Sequence, residues 1–375
     1  MNSDARRTIS LEGIITLMSP LSHIGEVRGT DSLLLRSYIV GDDGRRQETF
    51  RYNGNAWRGM LRDHGSLYLF NKLGDPKMGL DTLYLFTSGG AIAGEQIVDL
   101  DRAEKIRAVF PLLSIFGGGA KSQILEGKMH VGFGIPLVRE CQAVLPERFR
   151  NIDAPPWRLW TEENYFTRQD DAKKEKFKRF LQEPPAVAAP EKREALPEAP
   201  PVEQESLFAG AVEAAAPATP IPDGLAANAE KKKDAAPKKK ENPQQMRAMV
   251  ECLCAGARLY QRIDLVDVTD IELGAFVSAL GHWSRAPYIG GKCGVGFGLC
   301  NVAYDFWQGG KLEQFARIGE NVVKLGPAAA AAKQAYDKWL QQLYDEYLVA
   351  NAGTMRVMLE ASRVEEPGKK KGGKK

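Results

Sequence analysis

No apolar run in the 375 residues approaches the ~18 that a membrane-spanning helix requires, and "MNSDARRTIS" lacks the apolar core of a signal peptide. The expectation is a cytoplasmic protein with no membrane partner. Cysteine is scarce: five, an odd number, with Cys252 and Cys254 as C-x-C and Cys293 and Cys300 separated by six residues. Neither spacing is that of a zinc site, and the scatter does not make a disulfide framework, so no metal is expected. Histidine is scarcer still, with four in the chain, which leaves little material for acid–base catalysis. Phosphate-binding fingerprints are missing as well. "APYIGGKCGVGFGLCNVAYDF" (286–306) is rich in glycine, but Gly294, Gly296 and Gly298 read G-x-G-x-G, and Lys292 is followed by cysteine. Nucleotide loops need strand, glycines, then helix. Here the helical spacing of "DIELGAFVSALGHWS" precedes the glycines and a strand-like run follows them, so no nucleotide cofactor is expected.

Charge is unevenly placed. The net charge of +3 depends on "KKKDAAPKKK" (231–240) and "KKKGGKK" (369–375). Without those two runs acids outnumber bases, so a nucleic-acid surface on the folded body has to come from local placement of cations.

Along the chain, "TISLEGIITLM" (8–18) reads as a strand ended by Pro20, and "SPLSHIGEVRGTDS" as a loop. "LLLRSYIV" and "RQETFRYN" flank a turn at 41–44, and 55–72 has helical spacing with Asn53 or Asn55 as N-cap. "RAEKIRAVFPLLSIFG" is a helix broken at Pro111, and "EGKMHVGFGIPLVREC" is a strand after the cluster Gly117 to Gly119. "DDAKKEKFKRFLQ" reads as a charged helix. Residues 183–245 are Ala, Pro, Glu and Lys with few large apolar side chains, a composition that cannot offset its own ordering entropy. "MRAMVECLCAGARLYQRIDLV" resumes regular structure as strands, and 311–363 reads as mostly helical. Globular sequence on both sides of 183–245 implies one domain interrupted by a surface excursion, because loop closure costs rise slowly with length, with two domains on a linker as the alternative. The irregular alternation of strands and helices favours an α+β fold.

Four stretches in this order carry a family resemblance: "SPLSHIG" with "GTDS" and "YNGNAWRGMLRD", then "SIFGGGAKSQILEGKMHVG", then "AGARLYQRIDL", then "IGGKCGVGFGLCNVAYDF". The chain resembles the RAMP superfamily, specifically the repeated backbone subunits of multi-subunit CRISPR effectors, and most of all the type IV (Csf-two) branch. That resemblance implies a modified RRM-like, ferredoxin-like palm with inserted helices, formed by 8–156 and 246–310. It implies a charged helical insertion at 157–182 as candidate thumb, a disordered insertion at 183–245, C-terminal helices at 311–364 and a basic tail at 365–375. The partners it implies are guide RNA, a target DNA (or RNA) recognised by base pairing through the guide, copies of the chain itself along the guide, and other effector subunits.

Site residues follow partly from geometry and partly from the resemblance. Arg58 and Arg62 are four apart, hence on one helix face and about 6 Å apart along its axis, close to the phosphate spacing of an extended strand. The resemblance puts guide-contacting bases at both positions and a contacting histidine at His23. Arg28, Arg36 and Lys121 extend the basic strip. Gly291, Lys292, Gly294 and Gly296 form the glycine-rich loop that supports the palm surface under the guide. Asp31, in "G-T-D", matches the aspartate that cuts target RNA in type III relatives. No companion metal ligand is legible beside it, so the expectation is a subunit that is not an enzyme, with an Asp31-dependent nuclease as the alternative.

Overall fold

The computed structural model describes residues 5–92, 100–121, 123–168 and 246–345. Two compact units divide the chain: Met1–Phe166 with Arg247–Lys375, and Thr167–Met246. The first takes in sequence from both sides of Thr167–Met246. The second lies almost wholly outside the described residues, and so do the charged helix read at 170–182, the low-complexity segment and the basic tail.

Strand β1 (Arg7–Leu17) alternates strictly, with Ile9, Leu11, Ile15 and Leu17 buried and Ser10, Glu12, Ile14 and Thr16 on the other face. The segment after it is not all loop. β2 (Ile24–Arg28) and β3 (Asp31–Leu34) form a hairpin through Gly29, whose φ of +61° sets the turn. β4 (Arg36–Val40) and β5 (Arg46–Phe50) form a second hairpin. Then come α1 (Gly54–Lys72) and α2 (Leu80–Thr87), the latter with no counterpart in the sequence reading. After β6 (Gly90–Ile92) follow α3 (Leu100–Val109) and α4 (Pro111–Phe116), divided at Pro111 as expected. β7 (Gly118–Lys121) and β8 (Gln123–Leu125) form a small sheet with β6. The strand read in "EGKMHVGFGIPLVREC" is two short pieces, β9 (Met129–Val131) and β10 (Ile135–Pro136), split at Gly132–Gly134.

β11 (Thr161–Arg168) lies ahead of the charged helix read at 170–182, within the stretch 157–182 that the resemblance gives to a helical insertion. β12 (Met246–Leu253), β13 (Arg258–Val268), α5 (Asp270–Trp283) and β14 (Cys300–Gln308) match their sequence patterns. The region from 311 onward does not. β15 (Lys311–Gly319) and β16 (Val322–Leu325) are strands, and the helix α6 occupies only Pro327–Leu343. The cause is local. Gly309 and Gly310, with φ of +57° and +77°, close a two-residue hairpin that pairs Gln308 with Lys311.

The main sheet is antiparallel. β1 lies between β13 and β14, β9 and β10 flank β13, and β15 and β16 continue beyond β14. β13 and β14 are both antiparallel to β1, so they run parallel to each other, with α5 as the crossover. β9 likewise runs parallel to β1. A second sheet has the order β11-β12-β3-β2.

Helix α5 is apolar nearly all round because it is packed on several sides, by α1, α4 and α6 as well as by β13. Gly274 admits α6: a Cβ there would stand 2.1 Å from the Ala332 carbonyl oxygen. Its N-terminus carries a capping box, Thr269 with Glu272. Buried Glu272 also accepts from Ser114 Oγ at 2.5 Å and from Lys128 Nζ at 2.9 Å. Burial alone would raise its pKa. The bonds from Ser114, Lys128 and the Thr269 amide outweigh that and hold the carboxyl below its usual value.

Between α1 and α5, His64 Nδ1 and His282 Nδ1 are 2.9 Å apart. Burial, with the neighbouring ring second, pushes His64 down to about 4, and burial with Arg285 also lowers His282. The fold therefore holds both rings neutral. This contribution is complete above the ordinary imidazole value and is lost as pH falls toward about 4, where the unfolded chain already binds protons that the folded pair refuses. His64→Gln should flatten the fall of melting temperature between pH 6.5 and 4. An unchanged slope in a thermal-melt series would remove this pair from the acid response.

Candidate nucleic-acid interface

The glycine-rich loop connects α5 to β14 and is sewn to the loop that follows β1. Gly291 N–H donates to Ser22 O at 2.8 Å, Gly298 N–H to Pro20 O at 2.7 Å, and Met18 N–H to Leu299 O at 2.7 Å. Glycine is needed at two places, once across this seam and once within the loop itself. At Gly290 (φ +76°) a Cβ would stand 2.4 Å from Ser22 O, and at Gly298 (φ +87°) 1.9 Å from Ile289 O. Gly294 and Gly296 differ, since a Cβ at either would meet nothing within 4 Å. They stand with Lys292 at the exposed tip, where Lys292 has φ of +58°. Among the described residues the amides of Lys292, Cys293 and Gly294 donate to no backbone acceptor. The loop thus has a welded base and a tip that offers a cation and successive N–H groups.

His23 is a joint between that loop and the head of α1. Its Nε2 accepts the Asn53 amide at 3.2 Å, and its ring lies 4.6 Å from Tyr52. The Tyr52 hydroxyl in turn accepts the Gly290 amide at 3.2 Å. Burial, with the charge of Arg51 second, holds His23 below its ordinary pKa, so at neutral pH it is an uncharged acceptor rather than a cation. Asn53 caps α1 by accepting the Asn55 amide at 2.9 Å.

Along α1, Trp57 and Leu61 are buried, as their spacing predicts, and Arg58 and Arg62 share the opposite flank. Both guanidinium groups turn inward to the C-terminal end of α4. Arg58 donates to Phe116 O, and Arg62 donates to the same oxygen at 2.5 Å and to Gly117 O at 3.2 Å. The spacing placed them on one face, and the structure adds that this face is anchored to α4. A carbonyl at a helix C-terminus carries partial negative charge, which two guanidiniums complement. Neither arginine has a carboxylate partner within 4 Å among the described residues, and both Nε atoms are buried without an acceptor. Burial lowers the pKa of Arg58; burial and then the charge of Arg58 lower that of Arg62. The two arginines line an open cavity of about 450 Å³ with Asn55, Ser88 and the glycine pairs Gly89–Gly90 and Gly118–Gly119. The pocket therefore combines two guanidiniums, hydroxyl and amide donors from Thr87, Ser88 and Asn55, and glycine walls, with Ile124 and Leu125 as its apolar side. It suits a phosphate.

The remaining predicted cations are placed otherwise. Arg28 is exposed on β2 and paired with Glu26 at 2.8 Å. Arg36 is held by both carboxylate oxygens of Glu251 at 2.6 and 2.7 Å and lies 4.7 Å over the Trp157 ring. Its charge is spent on joining β4 to β12. Lys121 ends β7, with its backbone in register with Ile92. Asp31 opens β3 opposite Arg28, and among the described residues no three His, Cys, Asp or Glu side chains converge as a metal site.

Sequence reading missed Arg51, next to the head of α1. It has no carboxylate partner within 4 Å among the described residues and stacks 4.4 Å from Phe133. Its position two residues before Asn53 was legible, but the stacking was not. A larger groove, about 680 Å³, lies on the sheet face of Ile14, Thr16, Asn301 and Lys324 and holds none of the predicted residues.

No protein-family model matches the chain, and no curated protein matches its sequence. Among solved structures, a chain of a Type IV-B CRISPR Complex is similar at a TM-score of 0.47 and 15% identity, over 84% of this chain and 96% of that one. The crystal structure of Thermofilum pendens Csc2 is similar at a TM-score of 0.33 and 12% identity, over 96% of this chain and 83% of that one.

Proposed function

We propose that this protein is a non-catalytic subunit that binds the backbone of a CRISPR guide RNA and lines up in several copies along it, in an effector of type IV-like character. The observation that carries the reading is the cavity on α1, where Arg58 and Arg62 have no carboxylate within 4 Å among the described residues, Asp63 acting on Arg62 only from further off, and face the glycine pairs. Phosphates are the ligands that such donors take without reading sequence. The order of strands, with β1 between β13 and β14 and β9 beyond β13, supports an RRM-like palm, since two split β-α-β crossovers are its defining connections. The exposed tip of the glycine-rich loop, with Lys292, Gly294 and Gly296, extends the contact. Arg36 is left out of the contact set because Glu251 neutralises it, and His23 acts as an uncharged support. Base edges of the guide stay free, so target choice, plasmid or phage DNA, falls to base pairing. Asp31 is assigned no step.

Co-expression with a CRISPR array tests this. The chain should purify as a multi-copy complex with RNA of one discrete length, and the complex should dissociate as salt rises. A nucleic-acid-free monomer under those conditions would defeat the proposal.

A further inference from the structure

We propose that Phe133 and Arg51 form a stacking platform for one unpaired base of single-stranded RNA, at the head of α1. The inference rests on the guide-binding reading and adds to it a contact that phosphates cannot supply.

Phe133 stands between β9 and β10 and is 44% exposed. Its backbone is not a loose loop. Gly132 N–H donates to Arg262 O at 2.8 Å, Gly134 N–H donates to Tyr52 O at 2.9 Å, and Tyr52 N–H donates back to Gly134 O at 2.9 Å. An aromatic ring is thus held in water by neighbours fixed on both sides. Arg51 covers one face, 4.4 Å from the centroid, with its Nε buried and without an acceptor. A guanidinium behind an aromatic ring keeps it oriented and adds a cation near any base stacked in front.

The location matches the strand that the phosphate cavity would hold. Arg51 precedes Tyr52 and Asn53, its charge acts on His23, and Asn55, two residues further on, lines the Arg58–Arg62 cavity. Proteins that hold single strands without sequence preference combine a cationic track with aromatic faces, because every base has a π-face. The predicted cations and glycines supply the track alone. Phe133 supplies the face.

The test is fluorescence anisotropy with the full chain and a labelled single-stranded RNA, repeated with an abasic RNA of equal length. Phe133→Ala should weaken binding of the normal RNA roughly tenfold or more, with the salt dependence unchanged because no phosphate contact is lost. Phe133→Trp should retain affinity, and its indole emission should change on binding. The abasic RNA should bind wild type and Phe133→Ala equally. If Phe133→Ala binds like wild type while Arg58→Ala with Arg62→Ala does not, the platform is wrong and the guide-binding reading stands. Equal loss by Phe133→Ala and Phe133→Trp on both RNAs would also overturn the platform. No RNA binding by wild type would remove the reading and the platform together.

Discussion

Arg58→Ala combined with Arg62→Ala should lower affinity for single-stranded RNA on the order of a hundredfold, about equally for every sequence. The estimate takes about 1.5 kcal/mol for each charged hydrogen bond lost. The slope of log affinity against log salt should fall by about 1.4 per protomer, from about 0.7 per phosphate contact on a single strand. A fully exposed pair would leave folding untouched, but these two are half-buried. Both donate to Phe116 O, so their removal also frees the C-terminal carbonyls of α4. A drop in melting temperature is therefore expected alongside the binding defect. Arg58→Lys with Arg62→Lys separates the two effects, since the charges are kept and the shared geometry at Phe116 is altered. Titrations of one fixed-length RNA at several salt concentrations decide the matter. A slope equal to that of wild type in the double alanine variant would show that the arginines serve α4 alone.

Lys128→Met is the substitution expected to cost most in stability, about 3–5 kcal/mol. Lys128 and Glu272 have side-chain exposures of 14% and 7%, so the pair is shielded from solvent. Removing the ammonium leaves the carboxylate with Ser114 and the Thr269 amide but without a counter-charge. The pH dependence gives the sign. In wild type the folded pKa of Glu272 is depressed, so its contribution is present above the usual carboxylate value and is lost as pH falls through the folded one. Without Lys128 the folded pKa moves up, and a protonated Glu272 no longer needs the partner. The stability gap between wild type and Lys128→Met should therefore narrow as pH falls through the carboxylate range. Urea melts at pH 7 and pH 4 measure this, and a gap independent of pH would assign the loss to packing instead.

Much of the architecture is written in local pattern. The alternation of β1, the spacing of α1 and α5, the break at Pro111 and the helix-glycine-strand order around Gly290 to Gly298 can all be read without coordinates. Backbone geometry and amphipathic burial act over a few residues, and that is the range of such signals. Two differences between pattern and fold are also local. "WQGGKLE" carries a hairpin turn in its Gly-Gly pair, and that turn, not the helical spacing further on, sets the structure of the residues after it. β2, exposed at every position, has no buried face to imprint a period on the sequence, so it read as loop.

The site divides in the same way. Sequence determined that Arg58 and Arg62 share a helix face, that the loop at 290–298 is unsuited to a nucleotide, and that no standard metal motif is spelled out. Only the tertiary structure decided which cations keep their charge available. Arg36 meets Glu251 across 215 residues of sequence, Arg58 and Arg62 find a carbonyl and no carboxylate among the described residues, and Arg51 finds Phe133. Whether a guanidinium is neutralised, clamped or left open depends on what the fold brings within about 4 Å. Electrostatic partners at such separations leave no period along the chain.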